Sequence, residues 1–217
     1  MKKILTLVFS SLLFTSVASA DAGINIGISQ SFGVFTGSAT ETELDDKDSE
    51  DGAAAVSWTS VFLEKTLGER LSIGVNYVPS ALESETTETQ RRDKTTTDAQ
   101  TVRTQKISVD FEDLTTIYVA LNMTENMYVK AGMMSVDVVT NETLGTGSEY
   151  GDTSLDGTML GLGYNKPFGN SAFLRFEGNY YTFDGSDEIT SSTNSDNKVK
   201  IDSLDGASAT ISIGRTF

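Results

Sequence analysis

Residues 206–217 read Gly206-Ala207-Ser208-Ala209-Thr210-Ile211-Ser212-Ile213-Gly214-Arg215-Thr216-Phe217. Ala207, Ala209, Ile211, Ile213 and Phe217 share one parity; Ser208, Thr210, Ser212 and Gly214 share the other. Successive side chains of a strand point to opposite faces, so this period of two describes a strand with one apolar and one small polar face. The same rhythm recurs upstream over residues 23–35, 53–65, 70–80, 106–122, 127–138, 157–165 and 172–183, which gives eight strands. In the first, Ile24, Ile26, Ile28, Phe32 and Val34 oppose Asn25, Gly27, Ser29, Ser31 and Gly33. In the seventh, Leu174, Phe176 and Tyr180 oppose Arg175, Glu177, Asn179 and Tyr181. The facing of 53–65 and 127–138 is not fixed by the sequence.

The connections alternate in length. Residues 66–69, 123–126 and 166–171 read as tight turns, whereas 36–52, 81–105, 139–156 and 184–205 read as long polar loops. Short turns at one end and long loops at the other describe an antiparallel up-and-down barrel of the outer-membrane kind. A loop as long as 81–105 is uncommon in a compact soluble domain and ordinary on such a barrel. Two media remain open for the apolar face: the core of a soluble barrel binding a small apolar ligand, or lipid. Lipid is favoured, because eight strands leave room inside for side chains only, and the other face is rich in Gly, Ser, Asn and Thr. Trp58, Tyr77, Tyr164 and Tyr180 fall near strand ends, where interfacial aromatics sit. The expected fold is therefore all-β, an eight-stranded antiparallel up-and-down transmembrane β-barrel over residues 21–217.

Residues 1–20 are set apart from that domain. Met1-Lys2-Lys3 is a positive start, 4–17 is apolar, and Ala18-Ser19-Ala20 offers small residues to a signal peptidase, with cleavage between Ala20 and Asp21. Those features describe a secretory signal peptide, and 14 apolar residues are too few for a helix that needs roughly 20 to span a bilayer.

Composition narrows the chemistry. The chain has 217 residues, no Cys and no His, which removes disulfides, thiol nucleophiles, the commonest general base and the commonest metal ligand. Its net charge of −15 argues against nucleic acid as a partner. No catalytic role, cofactor or metal is expected.

The end of the chain carries a family likeness. Ala209-x-Ile211-x-Ile213-x-Arg215-x-Phe217 resembles the terminal signature that outer-membrane proteins present to the barrel-assembly machinery, a final aromatic preceded by apolar residues at every second place. Arg215 departs from it, where Tyr or an apolar residue is usual, and its charge can snorkel to water. Leu174-Arg175-Phe176-Glu177-Gly178-Asn179-Tyr180-Tyr181 resembles the penultimate strand of small OmpA/OmpX-like barrels. These motifs span about the last fifth of the chain. The resemblance implies a monomeric barrel in the outer membrane of a Gram-negative bacterium, in contact with lipid and lipopolysaccharide, with both termini periplasmic. The function expected of such a barrel is structural or surface-exposed: envelope stability, shielding, adhesion or phage attachment. A narrow passive pore is the alternative.

Three groups of residues could do more. Arg175 and Glu177 are two apart, so both point away from Leu174 and Phe176; Lys130 on the fifth strand is the natural cation beside Glu177. A Lys130/Arg175/Glu177 network would plug the lumen, unless those charges meet only water and Asn or Tyr neighbours. Asp45-Asp46-Lys47-Asp48-Ser49-Glu50-Asp51-Gly52 reads as a solvated acidic loop with weak, unspecific divalent-cation association, since its spacing misses the EF-hand pattern. Arg91-Arg92-x-Lys94 could meet lipopolysaccharide phosphate or simply balance the acids of its own loop.

Overall fold

The computed structural model describes residues 23–43, 46–83, 87–93, 101–143, 149–192 and 195–217. The expected signal cleavage at Ala20 and Asp21 lies outside them. Eleven strands are present among the described residues: β1 (Ile24–Glu43), β2 (Asp46–Leu67), β3 (Leu71–Tyr77), β4 (Leu82–Glu83), β5 (Thr87–Asp93), β6 (Thr101–Asn122), β7 (Met127–Thr143), β8 (Thr153–Phe168), β9 (Ala172–Phe183), β10 (Ile189–Thr190) and β11 (Asn197–Thr216). Eight form an antiparallel ring in the order β1-β2-β3-β6-β7-β8-β9-β11, and β11 returns to pair with β1. At that seam Ile24 N donates to Phe217 O (3.0 Å) and Phe217 N to Ile24 O (2.8 Å). Closure leaves the ring itself without an exposed edge.

Three tight turns share the end that carries the chain termini. Two begin at Gly68 (φ 70°) and Gly169 (φ 62°), backbone positions that a side chain would strain. In the third, the Thr124 hydroxyl accepts the Met127 backbone N–H (3.0 Å) and holds the corner. The last turn is shorter than expected, because β8 continues through Pro167 and Phe168 to pair with Phe173 and Ala172.

At the opposite end the structure corrects the expected loops. Most of residues 36–52 is strand: β1 and β2 stay paired from Ile24↔Lys65 up to Glu43↔Asp46. β6 starts at Thr101 and pairs with β5 from Thr87↔Ile107 to Asp93↔Thr101. β11 starts at Asn197 rather than 206. β3, by contrast, stops at Tyr77, three residues short of the expected end and two before Pro79, which has no backbone N–H for a ladder.

These extensions reverse the alternation. On β7, Met127, Val129 and Met133 point outward and are exposed, but farther along Met134, Val136 and Val138 point inward and are buried. On β8, Leu160 and Leu162 are outward while Leu155 and Met159 are buried within. β6 makes the same change at a bulge: Asp113 has φ 54°, and the register with β7 shifts between Glu112 and Thr115. One extra residue turns over the facing on the hairpin side of the bulge, so Val109 and Phe111 join Leu114 against the interior cluster. The half of the barrel near the termini is thus apolar outside and polar inside; the half near the hairpins is the reverse.

Candidate functional site: charges across the lumen

In the half nearer the termini the lumen holds two ion pairs. Arg175 on β9 meets Glu64 on β2 in a fork: Nη2 donates to Oε1 (2.7 Å) and Nη1 to Oε2 (2.9 Å). The shorter way around the ring from β2 to β9 passes β1 and β11, so this pair crosses the interior rather than running along the wall. Asn25 Nδ2 donates to Glu64 Oε1 (2.7 Å) and the Tyr118 hydroxyl to Oε2 (3.1 Å), so both carboxylate oxygens are fully engaged. The guanidinium lies over Phe173 (4.6 Å to the centroid), Phe62 (5.3 Å) and Tyr128 (5.5 Å), a setting suited to a weakly hydrated planar cation. In the second pair, Lys130 Nζ reaches both oxygens of Glu177 (2.7 and 2.8 Å) and lies over the Tyr118 ring. The Tyr128 hydroxyl also donates to Glu177.

Side-chain exposure is 2% for Glu64, 8% for Glu177 and 9% for both cations. Buried charges of this kind persist only when paired and hydrogen-bonded, and the cluster is balanced at two of each sign. Glycine makes room for it. A Cβ on Gly163 would collide with the Tyr128 ring, and one on Gly74 with Tyr118. Inward glycines and inward aromatics therefore interlock around the charges.

Farther toward the hairpins the interior is apolar. Trp58, Val78, Met134, Val136, Val138, Leu155, Met159, Tyr181 and Phe183 form one buried cluster, with Phe35 packed against it. Phe35 and Tyr181 stack at 5.7 Å, and Trp58 lies 6.0 Å from Phe35. Between the two layers is a cavity of about 40 Å³, room for one or two waters, lined in part by Lys130, Glu177, Asn179 and Thr210.

The expected residues that fall within the described ones can be placed. Lys130, Arg175 and Glu177 come together, but Arg175 pairs with Glu64 rather than with Glu177. Sequence reasoning missed Glu64. Trp58 is corrected: it shares a face with Ser60, Phe62 and Glu64 and is only 5% exposed, so it belongs to the interior cluster and not to an outer girdle. Tyr77, Tyr164 and Tyr180 lie on the outer wall, and the Tyr77 hydroxyl donates to Asp113 (2.7 Å). Ile211, Ile213 and Phe217 also point outward and are exposed. The run Asp46–Asp51 belongs to β2, where Asp48 and Glu50 share one face and Asp51 lies on the other; Asp45 lies outside the described residues. Among the described residues no three acidic side chains gather as a metal site. Arg91 and Arg92 sit on β5, and Lys94 lies outside the described residues.

No family model matches the chain, and no curated protein matches it. Solved structures do. The outer membrane protein OprG from Pseudomonas aeruginosa aligns over 91% of this chain and 96% of its own, at 12% identity and a TM-score of 0.55. Ail of Yersinia pestis, solved with the heparin analogue sucrose octasulfate, covers 90% of this chain and 97% of its own at 10% identity and a TM-score of 0.44. Neisserial surface protein A covers 82% and 95% at 10% identity and a TM-score of 0.33. At such identities the likeness to OprG is one of fold. The outward position of Ile26, Ile28, Phe32, Leu160, Leu162 and Ile211 agrees with it and runs against the soluble alternative, whose apolar face would turn in. The chain has the fold of the small outer-membrane proteins, a closed eight-stranded transmembrane β-barrel.

Proposed function

We propose that this chain is an integral outer-membrane barrel of a Gram-negative bacterium that conducts nothing and works through its surface. The observation that carries the reading is the double occlusion of the lumen, by the Glu64/Lys130/Arg175/Glu177 cluster and then by the apolar layer around Trp58 and Leu155. A barrel filled with side chains has no passage, so its usable parts are its wall and its projecting hairpins. The role is then structural or surface-exposed: envelope stability, shielding, adhesion or phage attachment. In this reading the termini and tight turns face the periplasm, and the β1–β2, β5–β6 and β10–β11 extensions face outward. Lipopolysaccharide surrounds the wall, Arg91 and Arg92 are candidates to meet its phosphates, and divalent cations associate weakly with the acidic extensions. Ile211, Ile213 and Phe217 would be the elements docked by the barrel-assembly machinery. With no His and no Cys in the sequence, no catalytic role is assigned.

Planar-bilayer recording on the refolded barrel tests this directly. The expected trace shows no steady conductance at moderate voltage. A sustained, reproducible open level in the parent protein would replace this reading with a narrow passive pore.

A further inference from the structure

The outer wall contains a polar interruption that lipid cannot satisfy. Along β1 the outward residues are Ile26 (49% exposed), Ile28 (54%), Gln30, Phe32 (59%) and Val34 (50%), so the Gln30 amide stands exposed in the middle of an apolar stripe. Gln30 Oε1 accepts the Thr59 hydroxyl (2.7 Å). Its Nε2, which carries two N–H groups, makes one marginal contact, 3.4 Å to the backbone oxygen of Ser31. At least one N–H is left facing outward, at a depth where hydrocarbon offers no acceptor.

The wall around Gln30 also has a shape. Phe32 is paired with Ser57 on one side and Ala209 on the other, and Val34 with Ala55 and Ala207. Phe32 and Val34 therefore form a ridge along β1 between two shallow grooves floored by small, exposed residues.

We infer that the β1/β2/β11 wall is a contact surface for a second copy of this chain in the membrane, centred on a Gln30–Gln30 amide pair across a two-fold axis along the membrane normal. Three features select that occupant. A carboxamide is both donor and acceptor, so two related by a dyad satisfy each other. A ridge flanked by grooves is self-complementary: Phe32 of each copy fits beside Phe32 of the other, over Ala209. An identical barrel with the same apolar band also brings its amide to the same depth, whereas an acyl chain brings no acceptor there. Between membrane helices, small residues with a polar contact are the usual means of association where lipid removes the hydrophobic incentive, and the same physics applies to this wall. The inference replaces the monomer expected from sequence. It rests on the reading that this wall faces lipid.

The sequence contains no Cys, so single cysteines report cleanly. The variants Ala209→Cys and Met133→Cys, the latter on β7 across the ring, are refolded into lipid vesicles at low protein density and treated with a short thiol crosslinker. Flotation and heat-modifiable gel mobility check insertion and folding, so failure of the membrane reading shows as protein that neither floats nor shifts. The expected result is a dimer band for Ala209→Cys, several-fold above that for Met133→Cys. Adding Gln30→Leu, which makes the stripe uniformly apolar, should cut the band by about fivefold while the barrel stays folded. Phe32→Ala, which removes the ridge, is the second variant should Gln30→Leu fail to insert, and it should also reduce the band. Folded protein whose Ala209→Cys crosslinking equals that of Met133→Cys, or is unchanged by Gln30→Leu, overturns the inference.

Discussion

The two halves of the barrel interior are built by opposite rules. Near the termini, where the outer wall is apolar, the inside holds Glu64, Lys130, Arg175 and Glu177, each paired. Near the hairpins, where Ser135 and Asp137 lie on the outward parity of β7, the inside holds Met134, Val136, Val138 and Leu155. The same strands run through both halves: β7 and β8 keep their facing and only their residues change, while β6 turns its faces over at the Asp113 bulge. Against hydrocarbon the apolar residues can face out, and the narrow interior is left to charges that satisfy one another. Against water, apolar residues must face in, and the upper barrel becomes an ordinary hydrophobic core. One half is held by paired charges and the other by packing, and the two should respond differently to substitution.

The largest difference should come from Glu64. Replacing it with Gln leaves the Arg175 guanidinium buried without its carboxylate, which should destabilise the barrel by about 3–5 kcal/mol. Urea unfolding in lipid vesicles measures that loss. Bilayer recordings on the same variant should stay closed, because the apolar layer around Trp58 and Leu155 still blocks the lumen. Unchanged stability would mean that the cluster is solvated rather than dry.

In the other half, Leu155→Ala opens a cavity in a fully buried site (1% exposed) and should cost about 2–4 kcal/mol by the same assay, with no new conductance. A loss from Leu155→Ala as salt-dependent as that from Glu64→Gln would erase the distinction between a charged cluster and a packed core.

The smallest effect concerns pH at the hairpin end. The Thr40 hydroxyl donates to Asp202 (2.6 Å), and Lys198 donates to Glu188 (3.0 Å); these bonds hold both carboxyls below their ordinary values of 3.8 and 4.5. A lowered folded-state value means the contribution is present above the unfolded value and disappears as pH falls through the folded one. Amide exchange in the β10–β11 extension should therefore quicken relative to the barrel seam between pH 6 and pH 3, and only slightly, because both groups are solvated. Equal change in both places would assign the effect to global loosening.

The sequence was readable where the medium is lipid and misleading where it is water. Ile211, Ile213, Leu174 and Phe176 alternate cleanly, and the two-residue spacing of Arg175 and Glu177 places both charges inside. Glu64 was hidden because Val61-Phe62-Leu63 is uniformly apolar and conceals the parity of β2, and because Lys65 beside it suggests a wet strand end. The strand extensions read as loops because Thr, Asp and Glu dominate them while the few apolar residues sit on the opposite parity. Nothing in the sequence marks the bulge at Asp113 that makes this reversal on β6. Trp58 went astray for the same reason as Glu64.

That residue supplies the most direct test. Trp58 is the only tryptophan in the chain and lies inside the barrel, 5% exposed, so its fluorescence reports which side of the wall it occupies. In vesicles of lipids brominated along their acyl chains, the folded parent should show blue-shifted emission with little quenching. A Trp58→Phe protein carrying Leu162→Trp, which moves the probe to the outer wall, should be quenched strongly. Strong quenching of Trp58 itself, matching that of the outer-wall probe, would contradict the inside-out arrangement on which the account rests.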